Sequence, residues 1–178
     1  MLMIKKVLTY YAACMDEYLR RLHHQPEGMA EVGFIGNSTE MKPNKMFVSL
    51  ISVERETAGG ISAPIQREDK GYVRMTPPLL LNLNIMLAAV YDEKQYTESL
   101  SVLSDALKFV QSVSKFEVDG VGYTIEIVTL SSQELNNVWT TLGGQYYPSV
   151  MCRIRRLIID AEEIFFSGSV ADQTIIGM

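Results

Sequence analysis

The stretch Leu79–Val90 constrains this chain more than any other. Leu79, Leu81, Leu83, Ile85, Leu87 and Ala89 recur at a period of two, so they line one face of a strand, and the opposite face carries Asn82 and Asn84. The same stretch is too short to cross a bilayer, which takes about 20 apolar residues, and the two asparagines interrupt it. It therefore predicts a core strand that needs a cover.

Helical spacing supplies the cover. From Ile4 to His23, Val7, Tyr11, Cys14, Tyr18 and Leu22 fall on one helical face, and Pro26 and Gly28 stop the helix. A second helix is expected from Glu93 to Ser114, with Tyr96, Leu100, Leu103, Leu107 and Val110 turned to the sheet. Met46–Arg55 reads as a central strand, with Phe47, Ile51 and Val53 on one face and Met46, Val48 and Leu50 on the other. A short strand is expected within 32–38. Lys115–Val118 and Tyr123–Leu130 are joined by a tight turn at 118–122. Ser131 and Glu134 form a capping box that opens the helix carrying Trp139, and Gly143–Gly144 end that helix. Val150–Asp160 is the last strand, with Val150, Cys152, Ile154 and Ile158 alternating against Met151, Arg153, Arg155, Leu157 and Ile159.

This order describes an α+β domain over 1–160: one mixed or antiparallel sheet covered by two long helices, followed by a short tail at 161–178. Between the strands at 46–55 and 79–90 lies a segment, 56–78, rich in Gly, Pro and charge. It is expected to form a protruding hairpin arm whose Ala63, Pro64 and Ile65 pack only against a partner.

The chain has 178 residues, 47% hydrophobic and 21% charged, which suits one globular domain. A net charge of -5 excludes a general nucleic-acid binder, because Arg153, Arg155 and Arg156 are offset at once by Asp160, Glu162 and Glu163. Tyr10, Asp16 and Glu17 break any signal core after the basic N-terminus, so a cytoplasmic protein with reduced cysteines is expected.

Reactive groups are few. His23 and His24 are neighbours in a helix and diverge, and neither they nor Cys14 and Cys152 form a metal-ligand spacing. Cys14 lies about 13 Å of helical rise from His23, too far for a nucleophile–base pair. No metal or cofactor is expected. Cys152 leaves open a cysteine-dependent enzyme, and a ligand-binding or regulatory module is a further alternative. Glu54 and Glu56 share a strand face, and Arg153 and Arg155 share another, which needs carboxylate partners: Glu126 for one, and an adjacent subunit for another. Trp139 suits core packing and an interface equally.

Ser49–Glu56, Pro78–Leu83, Ala88–Ala89, Tyr91, Tyr96, Leu100, Leu103, Phe109 and Gln111, followed by Glu134–Leu135, Trp139, Leu142–Gly143, Tyr146, Pro148–Ser149 and Arg153–Arg155, resemble the N-terminal domain of the tube-cap, or tail-terminator, proteins of extracellular contractile injection systems. The likeness spans nearly the whole chain. It implies a structural protein, not an enzyme: a ring-shaped homo-oligomer, hexameric, that terminates the inner tube and links its end to the sheath. It further implies assembly in the cytoplasm into a particle that can be released. Glu54, Glu56, Trp139, Tyr146, Arg153 and Arg155 are the expected partner-binding residues, with Arg153 and Arg155 paired to Glu54 or Glu56 of the next subunit.

Overall fold

The computed structural model describes residues 3–36, 43–57 and 78–159, together with the backbone of 65–68 and 71–74. The expected tail at 161–178 and the residues Ala63 and Pro64 lie outside that set.

The chain begins with helix α1 (Met3–His23) and strands β1 (Ala30–Val32) and β2 (Lys45–Arg55). Within 56–78, β3 (Ile65–Glu68) and β4 (Gly71–Arg74) pair antiparallel as a hairpin. Next come β5 (Leu79–Val90), a 3₁₀ turn at Glu93–Gln95, and α2 (Tyr96–Ser112). The chain continues through β6 (Lys115–Val118), β7 (Val121–Val128), α3 (Ser132–Thr141) and β8 (Ser149–Ile159). Six strands form one mixed sheet in the order β1-β2-β5-β8-β7-β6. Among the described residues only the β1–β2 pair of this sheet is parallel. The α+β architecture follows as the periodicities require.

β5 is central and buried from Asn82 to Val90. Its odd-numbered residues, Leu83, Ile85, Leu87 and Ala89, join the larger core with Val7, Tyr11, Met15 and Leu19 of α1 and Val102, Ala106 and Phe109 of α2. Each such Leu or Ile contributes about 1.5–3 kcal/mol on burial. Even-numbered Met86, Ala88 and Val90 belong to a second cluster under α3, with Ile35, Trp139, Tyr147 and Met151. The sheet is thus roofed by two helices on one face and by the short α3 over part of the other.

Both long helices are turned about their axes relative to the spacing argument. On α1 the buried stripe is Val7, Leu8, Tyr11, Ala12, Met15 and Leu19, rotated about 60° at 100° per residue, and Leu22 is exposed. On α2 the buried set includes Ser99 and Asp105 beside Val102, Ala106 and Phe109, and Tyr96 and Leu100 are exposed. On α2, polar residues bury once they are satisfied. Ser99 Oγ donates to the Tyr96 carbonyl at 2.5 Å, and Asp105 is held by His23 and Lys108.

Two β-bulges correct the strand faces. The β2–β5 register shifts between Leu50 and Ser52, so Ser52 and Glu54 lie opposite Asn84 and Asn82 while Val53 lies opposite Leu83. Val53 therefore shares the face of Met46, Val48 and Leu50 and not that of Phe47. The β5–β8 register shifts between Leu81 and Leu83, and Arg156 in the extra position has φ 74°. That shift carries Leu157 to the core face with Cys152 and Ile154, where it is fully buried, and turns Ile158 out.

Turn chemistry is local and agrees with the sequence. Asp119 and Gly120 both have positive φ, 53° and 77°, which closes the β6–β7 hairpin with the twist that adjacent strands need. The first short strand ends at Val32, earlier than the expected 32–38. At Gly33 a Cβ would fall 2.2 Å from the Phe47 ring, so only glycine lets the chain turn there.

Candidate assembly surface

α3 is fixed at its start by the capping box. Glu134 N donates to Ser131 Oγ at 3.2 Å and Ser131 N to Glu134 Oε2 at 2.8 Å, and these bonds hold the Glu134 carboxyl below its ordinary value. Gly143 and Gly144, with φ of 111° and 83°, end the helix, and Gly144 N caps the Trp139 carbonyl at 2.7 Å. The helix so placed drives Trp139 onto the sheet, 4% exposed. Its ring meets Tyr147 edge-on at 6.0 Å and Tyr146 at 5.4 Å. Trp139 is thus a core residue, and Tyr146, 56% exposed, is the ring that faces outward. An open depression of about 280 Å³ lies beside them, lined by Ser132, Leu135, Asn136, Trp139, Thr140 and Tyr146. The Trp139 Nε1–H is buried without a hydrogen-bond partner among the described residues.

Beyond α3 the same sheet face is polar. The β2 bulge brings Ser52 and Glu54 beside Asn84 and Asn82, and the β7–β8 register sets Glu126 opposite Arg153. Arg153 Nε donates to Asn84 Oδ1 at 3.0 Å and its Nη2 reaches Glu54 Oε2 at 3.4 Å. Arg155 donates to Glu126 Oε1 from Nε and Nη2 at 2.8 and 2.7 Å, and its Nη1 lies 3.5 Å from Glu56 Oε2. Glu126, then Glu56, raises the Arg155 guanidinium above its ordinary value. Asn82 Nδ2 donates to Glu56 and Asn84 Nδ2 to Ser52. The result is a band in which three carboxylates meet two guanidiniums across four strands.

For Arg153 and Arg155, Glu126 was expected as one partner within the chain, and Glu54 or Glu56 of a neighbouring copy as the others. The chain supplies them itself, because Glu54 and Glu56 lie only one strand beyond β5 once the bulge has set their face. Such half-exposed pairs contribute about 0–1 kcal/mol each, so the band shapes a surface more than it stabilises the fold.

Sequence reasoning missed one cluster. His23 Nε2 lies 2.9 Å from Asp105 Oδ2 and its Nδ1 3.7 Å from Glu98, while Lys108 Nζ donates to Asp105 Oδ1 at 2.9 Å. Burial pushes the Asp105 carboxyl up, but the hydrogen bonds from Lys108 and His23 outweigh it and hold the group below its ordinary value. This links the last turn of α1 to α2 and answers to no local signal.

Cys152 is fully buried, and burial pushes its thiol up to about 12. At neutral pH it is a protonated core side chain, the opposite of an activated nucleophile. Cys14 is half-buried and also free. Among the described residues no three His, Cys, Asp or Glu side chains cluster as metal ligands. No helix among them is long and apolar enough to cross a membrane.

No curated protein sequence matches the chain. Among solved structures it is similar to the sheath/tube terminator of PVC, an extracellular contractile injection system, in its extended state. The identity is 10% and the TM-score 0.54, over 86% of this chain and 57% of that one. It is also similar to the tube-terminating cap of the anti-feeding prophage, at 13% identity and a TM-score of 0.58, over 85% of this chain and 54% of that one. The chain spans a little over half the length of either, and at these identities the likeness is one of fold. A family model, the Pvc16 N-terminal domain, matches residues 13–171. The chain belongs to the Pvc16 N-terminal domain family.

Proposed function

We propose that this chain is a structural subunit that caps the inner tube of a contractile injection system. It seats on the tube end as a ring-shaped homo-oligomer of six copies, stops tube growth there and ties that end to the sheath. The observation that carries this reading is the family match over residues 13–171, nearly the whole chain. The fold likeness to a sheath/tube terminator and to a tube-terminating cap supports it.

The geometry suits a role of shape and contact. A ring repeats each surface once per subunit, so small contributions multiply around the axis. Tyr146, propped on Trp139, offers an exposed aromatic at the edge of an open depression. The band of Glu54, Glu56, Arg153 and Arg155 offers a polar platform whose side chains are already held in place, so little ordering is needed when a partner lands on it. These residues contact the neighbouring copies, the tube or the sheath.

Electron microscopy of the protein mixed with isolated tubes tests the reading. Density confined to one end of each tube is the expected image. Tubes left bare, or coated along their length, would refute it.

A further inference from the structure

The three arginines of β8 are not equivalent. Arg153 and Arg155 are neutralised by carboxylates of their own chain. Arg156 occupies the bulge position, is exposed and has no ion pair among the described residues. Its φ of 74° lies in the left-handed region, a conformation that costs any residue but glycine free energy, and arginine occupies it here. The Arg156 side chain takes no part in the hydrogen bonds that hold the charged band among the described residues. It lines an open depression of about 610 Å³ with Lys115, Phe116, Glu117, Tyr123 and Thr124. Lys115 is likewise exposed and without an ion pair among the described residues, so two free cations face one carboxylate there.

This cationic depression sits by β6 and β7, at one edge of the sheet. The opposite edge strand is β1. In the turn leading into it, Glu27 is exposed and without an ion pair among the described residues, and Glu31 on β1 itself is half shared with Lys45 at 3.3 Å. Opposite edges of one sheet thus carry free charges of opposite sign. That is the arrangement a head-to-tail contact between copies requires, and head-to-tail contacts are those that close into rings.

We infer that Arg156 is an intersubunit anchor that binds the carboxylate of Glu27 on the next copy of this chain, with Lys115 beside it. The inference rests on the ring reading above and deepens it by naming the contact. The strained bulge then sets Arg156, without an ion pair among the described residues, apart from Arg153 and Arg155, which are committed internally.

Mass photometry of the full chain, with tube ends present if they are needed for ring formation, tests it. Arg156→Gly relieves the left-handed strain, so its melting temperature should equal or exceed that of the parent, while ring dissociation should increase about tenfold or more. Arg156→Glu should weaken the ring further, and adding Glu27→Arg to it should restore assembly. Lys94→Glu makes the same change of charge elsewhere and should leave the ring intact. Rings of parental strength in the folded Arg156→Gly protein, equal weakening by Lys94→Glu, or no rescue by Glu27→Arg would each overturn the contact while leaving the cap reading standing. A parent chain that stays monomeric on tube ends would overturn both.

Discussion

The two halves of the sheet face under α3 are built on opposite terms. At one end Met86, Ala88, Val90 and Met151 are sealed by Trp139, Ile35 and Tyr147. At the other, Ser52, Glu54, Arg153, Arg155 and Glu126 are open to solvent to varying degrees and are held by hydrogen bonds to one another and to the buried Asn84 beneath them. The same three strands, β2, β5 and β8, run through both. The first half carries stability by excluding water, and the second carries a fixed surface at little energetic gain. A subunit that acts by contact needs both, since a docking platform is only as rigid as the core behind it.

The sharpest way to break this contrast is Trp139→Ala, expected to cost about 3–5 kcal/mol of unfolding free energy in a denaturant titration. A loss below about 1 kcal/mol would mean that α3 is not a true lid. Trp139→Phe should cost less than the alanine variant, because among the described residues the indole Nε1–H has no hydrogen bond to lose. Next in size is Ser131→Ala, which removes the cap that aims the helix and should cost about 0.5–2 kcal/mol. Its effect should vanish in a Trp139→Ala background if the cap acts by seating that ring.

In the charged half a double-mutant cycle on Arg155 and Glu126 should return a coupling below about 1 kcal/mol, falling as salt is added. A coupling of several kcal/mol would erase the distinction between the halves. The smallest effect is a pH dependence. The folded Glu134 carboxyl is depressed below its ordinary value of 4.5, so its contribution is complete above that value and is lost as pH falls through the folded one. The stability difference between the parent and Glu134→Gln should therefore shrink in acid, in unfolding curves taken from pH 6 downward. A difference that is flat or grows in acid would contradict the capping role.

What could be read from the residues was what the residues decide locally. The period of two in β5, the Asp119–Gly120 turn and the Ser131–Glu134 box each depend on a few neighbours, and each appears where expected. The faces of Val53 and Leu157 were not legible, because a bulge is a mismatch between two strands and only the pair defines it. The α2 stripe was turned for a related reason: Ser99 and Asp105 count as polar in a sequence, yet bury once Tyr96, His23 and Lys108 satisfy them. For the candidate surface, the types of Glu54, Glu56, Arg153 and Arg155 suggested pairing. Register alone brought them together within one chain. Arg156, beside them in sequence, became distinct only through its backbone angle.

A cap of this kind must halt a growing tube. Inner tubes elongating from seeds, with the protein titrated in and lengths measured by electron microscopy, should stop growing once each free end carries one ring, with no further effect of added protein. Tubes that lengthen at the same rate under saturating protein would contradict the central claim.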